Sequence, residues 1–113
     1  EDEARRVARA LLRAEGRPTA VLVSDEVLAE QVWREATAMG LDLPADLSLA
    51  SFADAPWMSM VVPGVTAVPQ AEARLGEIAV DMLQQRIDDP TAPVRTTVRP
   101  AQVVFRGSTA PPA

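Results

Sequence analysis

Apolar residues near the start of the chain recur at helical spacing. Ala4, Val7, Ala8, Leu11 and Leu12 form one stripe, with Arg5, Arg9 and Arg13 opposite it. The pattern predicts an amphipathic helix over 2–15, closed by Gly16 and Pro18, with the arginines on a solvated face. The run TAVLV at 19–23 is continuous and β-branched, which predicts a strand buried on both faces. A second helix is predicted over 27–39, capped by Ser24 or Asp25. Val27, Leu28, Val32, Ala36 and Met39 make one apolar face, and Ala29 and Trp33 an adjoining one. Two strands follow, LSLASF at 47–52 and VTAV at 65–68, each bounded by breakers. Between them the run WMSMVV at 57–62 is apolar without a clean period. A third helix over 71–87 carries Leu75, Ile78, Ala79, Met82, Leu83 and Ile87 on one side. Asp88-Asp89-Pro90 stops it. Segments 94–98 and 102–105 are further strand candidates, and 107–113 reads as a frayed, Pro-rich tail.

Strands alternating with helices predict an α/β fold with a mainly parallel sheet flanked by helices and right-handed crossovers. Ligands of such sheets bind outside the carboxyl ends of the strands. Those ends are Ser24-Asp25, Ala53-Asp54 and Pro69-Gln70, and polar ligand contacts are expected there.

Composition narrows the chemistry. The 113 residues make one domain, or one lobe of a larger protein, and an opening EDEARR without Met suggests a piece of something longer. A net charge of −5 argues against this segment gripping a phosphate backbone. Neither Cys nor His is present, which excludes disulfides and thiolate chemistry and removes the commonest general base and metal ligand. No apolar run is long enough for a membrane helix. There is no nucleophile elbow, Gly-rich phosphate loop or metal-ligand cluster. Asp25, Glu26 and Asp54 could meet as carboxylates around a magnesium ion or in acid–base work. A helix cap and a turn account for them more simply, and a ligand hydrogen bond to Asp25 lies between the two. Trp33 suits the core, whereas Trp57, in an irregular apolar stretch, suits an interface.

Four blocks together resemble the lactose/galactose repressor family. PTAVLVSDE at 18–26 is similar to that family's P-T-A-[IV]-x-x-x-N-D, and GLDLPADLSLASFAD at 40–54 to its G-L-x-V-P-x-D-[IVL]-S-[VL]-x-G-F-D-D. PGVTAVPQAEARLGEIAVDML at 63–83 resembles P-x-L-T-T-V-x-Q-P-x-x-x-x-G-x-x-A-x-x-L-L, and VVFRGSTAPP resembles the L-V-x-R-x-S-[ST] ending. The resemblance implies the C-terminal lobe of a periplasmic-binding-protein-like (type I) effector domain. It also implies a cytoplasmic regulator that binds a sugar or nucleoside between two lobes and DNA through an N-terminal helix-turn-helix outside this sequence. No cofactor, metal or catalysis is implied. The runner-up is the C-terminal lobe of a periplasmic sugar-binding transport protein.

By the same resemblance Asp25 stands at the ligand-contacting Asn. Ala53 stands at the first Asp of F-D-D and has lost its carboxylate, while Asp54 and Gln70 match the second Asp and the Gln. A homodimer interface is implied for the helix at 27–39 with Trp33, and for Trp57, Met58, Met60, Val61 and Val62. The segment 71–88 is expected to be a crossover toward an N-terminal lobe. Leaving Leu75, Ile78, Met82, Leu83 and Ile87 in water would forfeit roughly 7–15 kcal/mol, comparable to the stability of a domain. That helix is therefore expected to fold back on its own sheet or, preferentially, to be exchanged with a neighbouring chain.

Overall fold

The computed structural model describes residues 2–70 and 72–112. In order, the elements are α1 (Asp2–Arg13), β1 (Ala20–Val23), α2 (Glu26–Ala38), β2 (Ser48–Ser51), α3 (Pro56–Met60), β3 (Thr66–Ala67) and α4 (Glu72–Asp88). The chain divides into two compact units, residues 1–69 with 102–113, and residues 70–101.

In the first unit the three strands form a parallel sheet in the order β1-β2-β3, with Ala20 opposite Ser48 and Ala50 opposite Thr66. Each crossover is supplied locally. Asp25 caps α2, its Oδ1 accepting from the Leu28 N–H at 2.8 Å. Gly40 ends the helix at φ 72°, a left-handed conformation that an L side chain resists. Pro56, with its φ already fixed, opens α3. The apolar stretch after β2 is thus a short helix, lacking a period because one turn and a half is too short to display one. Its Met58 is fully buried (0% exposed) and joins Leu47, Leu49, Val65, Ala29, Val32 and Ala36 in the core.

Several expectations change. β1 is not buried on both faces: only Val23 is buried, Val21 is half-buried, and Ala20 and Leu22, on the other face from Val21 and Val23, are exposed, Leu22 by 59%. Of the α1 stripe, Ala8 and Leu12 are buried, whereas Val7 and Leu11 remain exposed; Val27 of α2 is exposed too. The α1 arginines are not simply solvated. Arg5 Nε lies 2.9 Å from Glu35 Oε1, and Arg9 approaches both carboxylate oxygens at 3.0 and 3.1 Å. Periodicity placed these arginines opposite the apolar stripe but could not place the acid on α2 that meets them.

The segments 94–98 and 102–105 form no ladder. The only pairing described there is an antiparallel bridge between Ala67 and Val104. A β-prone sequence becomes a strand only where an edge accepts it, and Val94 and Val98 remain exposed. The tail, by contrast, is not frayed throughout. Ser108 is fully buried: its Oγ donates to the Leu49 carbonyl at 2.5 Å and accepts from the Thr66 N–H at 2.9 Å. Its backbone adds bonds from Leu49 N–H and to Gly64 carbonyl, both at 3.0 Å. A Cβ on the adjacent Gly107 would lie 2.9 Å from Pro63 Cβ, so only glycine permits this close approach.

The second unit consists of α4 and the segment after it. The expected helix start at Ala71 lies outside the described residues. Arg86 Nη1 donates to the carbonyls of Pro90 and Ala92, and Arg95 to Gln85 Oε1, which folds the segment along the helix. Ile78 and Met82 are half-buried, but Leu75, Val80, Leu83 and Ile87 are 41–65% exposed.

Replacing Ser108 by Ala leaves a buried N–H and a buried carbonyl without this partner. The substitution is expected to lower stability by about 1–3 kcal/mol, read as a lower urea midpoint with an unchanged slope.

Candidate functional site

Because the strands are parallel and adjacent, their carboxyl ends share one edge of the sheet. Ser24 and Asp25 follow β1, Phe52, Ala53 and Asp54 follow β2, and Val68 follows β3. The ladder runs on past the strand ends, with Phe52 N–H donating to Val23 carbonyl at 3.0 Å and Val68 N–H to Ser51 carbonyl at 2.8 Å. Asp25, Ala53 and Asp54 are thereby held on neighbouring strand ends. Gln70 is the first residue of the second compact unit.

Their side chains differ in what they offer. Asp25 is exposed and commits Oδ1 to the cap, while Oδ2 has only a long 3.5 Å contact with Ser24 Oγ. Ala53 carries no polar side chain, and its backbone is occupied. The buried Ser51 hydroxyl donates to the Ala53 carbonyl at 2.7 Å and accepts from the Ala53 N–H at 3.1 Å, which closes a tight hydroxyl-stabilised turn. Asp54 is paired through both oxygens with Arg106, at 2.8 Å to Nη1 and 2.8 Å to Nη2. The hydrogen bonds from Arg106 hold the Asp54 carboxyl below its ordinary range, against an opposing effect of burial, and raise the Arg106 guanidinium in turn.

Arg106 lies in the closing VVFRGSTAPP block, and nothing in that block points to its place at this edge. An arginine separated from its acid by 52 residues leaves no local signal. Among the described residues, no group of three or more Asp, Glu, His or Cys side chains is placed to hold a metal ion, and no helix is long and apolar enough to cross a membrane.

The residues expected at an interface fall into two sets. Met58 is wholly buried and is corrected to a core residue, since its side chain seals α3 onto the sheet. Trp33 and Trp57 are half-buried and meet edge to face, ring centroids 6.4 Å apart at 64°, an arrangement that couples α2 to α3. Val61 packs against the core, whereas Met60 is 78% and Val62 92% exposed.

A parallel α/β unit with polar residues gathered at one strand edge is the architecture of a ligand-binding lobe. The family model for the periplasmic binding protein-like domain matches residues 1–109. The chain belongs to this family, in the form found in the lactose-repressor (LacI) group of transcriptional regulators. It is 37% identical over 101 residues to a protein of Rhizobium rhizogenes named as a probable opine utilization operon repressor, covering 88% of this chain and 51% of that one. It is 34% identical over 98 residues to the ribose operon repressor of Haemophilus influenzae, covering 87% and 30% respectively. A LacI family transcriptional regulator from Bifidobacterium animalis subsp. lactis superposes with a TM-score of 0.86 at 27% identity, over 99% of this chain and 41% of that one. The chain thus spans about half or less of these relatives. They are regulators, which favours the regulator reading over that of a transport component.

The other ionic cluster, Glu35 with Arg5 and Arg9, carries a pH prediction. Hydrogen bonds from Arg9 and then Arg5 pull the Glu35 carboxyl down to about 2, against burial. A depressed carboxyl contributes stability that is present above its unfolded value, near 4.3, and is lost as pH falls toward the folded value. Denaturant unfolding between pH 5 and 2 is expected to show a steep acid loss that Glu35→Gln flattens.

Proposed function

We propose that this chain is the effector-sensing and dimerisation part of a bacterial transcriptional regulator of the lactose/galactose repressor type, without enzymatic activity. The observation that carries the reading is the single strand edge presenting Asp25, Ala53 and Asp54 in a chain whose relatives are operon repressors. The effector is a sugar-like small molecule or nucleoside bound between this lobe and a second one. DNA binding belongs to a helix-turn-helix elsewhere in the protein, which acts in the cytoplasm. Residues 71–88 serve as the crossover to the second lobe, which supplies cover for Leu75, Leu83 and Ile87.

Within the crevice, Asp25 and Gln70 make the polar contacts, and Ala53 leaves a gap where a carboxylate would accept from a hydroxyl. A charged hydrogen bond of that kind is worth about 1.5–3 kcal/mol, or roughly tenfold to a hundredfold in affinity. Calorimetry on the complete two-lobe protein with hexoses and pentoses is expected to give weak binding that Ala53→Asp strengthens. Micromolar binding to a simple sugar that Ala53→Asp fails to improve would overturn the role of the gap.

The dimer forms through the Trp33 face of α2, Trp57, Val61 and the exposed Met60 and Val62, packed against the same surface of a second copy across a two-fold axis. Sedimentation of Met60→Asp and Trp57→Asp variants is expected to show dissociation. A dimer of unchanged affinity would refute this placement.

A further inference from the structure

We infer that Arg106 is a positioning residue of the effector crevice, acting through Asp54 to fix the turn at 52–55 and to withdraw that carboxylate from the ligand. The inference rests on the effector reading of the strand edge and deepens it: Asp54, at the same edge, is a strut and not a ligand contact.

The Arg106 side chain is anchored along its whole length. Its backbone N–H donates to Thr66 Oγ1 at 3.0 Å and its carbonyl accepts from that hydroxyl at 3.2 Å, on a Thr66 only 3% exposed. The stem lies over Gly64, where a Cβ would sit 3.1 Å from Arg106 Cδ. At its head, Nη1 and Nη2 grip the two Asp54 oxygens, and Nη1 also donates to the Val65 carbonyl at 2.8 Å. Side-chain exposures of 18% for Arg106 and 22% for Asp54 set this pair apart from the solvated ion pairs of the helices. A parallel two-pronged pair of this kind fixes direction as well as distance.

At the other end of the turn, Ser51 is fully buried and holds the Ala53 backbone through its hydroxyl, while Ala55 is 6% exposed. The turn is therefore clamped from β2 on one side and from the returning C-terminal segment on the other. Each Asp54 oxygen keeps a second lone pair, but rotating the carboxylate toward a ligand would break the fork. What the end of β2 offers an effector is then the shape of this turn, and Arg106 sets the shape from a segment 52 residues away.

The test compares Arg106→Gln, Asp54→Asn, the double variant and Arg106→Lys in the complete two-lobe protein, by amide hydrogen exchange and by calorimetry with D-ribose as probe. Each single loss is expected to speed exchange of the Ala53 amide, which donates to Ser51 Oγ, by about tenfold. The double variant should be no faster than either single one, exchange in β1 and α2 should be unchanged, and Arg106→Lys should recover part of the protection. Unchanged exchange in the turn, effects that multiply in the double variant, or acceleration throughout the fold would each overturn the inference. With D-ribose, equal weakening by Arg106→Gln and Asp54→Asn is expected; a much larger loss for Asp54→Asn would make Asp54 a direct contact and overturn it. Absence of D-ribose binding by the unaltered chain counts against ribose as the effector, and the exchange measurements then decide the role of Arg106.

Discussion

The buried hydroxyl of Ser108 holds the first compact unit together. It joins the returning C-terminal segment to β2 through Leu49 and to β3 through Thr66, segments 59 and 42 residues away in sequence. β3 is only two residues long, and so short a strand has too few ladder bonds to hold register alone. Its register depends on bonds from outside the parallel ladder: Ser108 at one end, and both hydrogen bonds of the Ala67–Val104 bridge along its outer side. The C-terminal segment thus covers part of the edge that the third strand would otherwise expose.

Carboxylates in this acidic chain divide between framework and site. Glu35 is 4% exposed, a position that a charge tolerates only when paired, and two arginines of α1 supply the pairing. Asp54 is likewise matched by an arginine, and Asp25 gives one oxygen to a helix cap. The sheet edge is left with little charged capacity: one oxygen of Asp25 near Ser24, and a methyl group at position 53.

The same division applies to apolar surface. Met58 entered the core because α3 turns it inward, and Met60, half a turn further on, stayed exposed, as did Val62 beyond the extended helix cap at Val61. Leu22 on β1 and Leu83 on α4 are exposed as well, at 59% and 60%.

The sequence by itself determined the α/β class, the family and the order of the three long helices and three strands, but neither the short helix α3 nor the lack of strands at 94–98 and 102–105. Those depend on local signals: the helical stripe through Ala8 and Leu12, the Gly40 stop, the Asp25 cap, and four motif blocks at fixed spacing. It also located the strand ends that gather Asp25, Ala53 and Asp54, because a parallel sheet places successive strand ends on one edge. Tertiary structure alone decided the pairings. Arg5 and Arg9 with Glu35, Arg106 with Asp54, and Ser108 with Leu49 and Thr66 join residues 26 to 59 positions apart. Periodicity reports which face of an element a side chain occupies, and carries no information about which distant side chain will meet it there. For the same reason 94–98 looked like a strand and is not one: its β-prone residues were legible, and the partner edge was not.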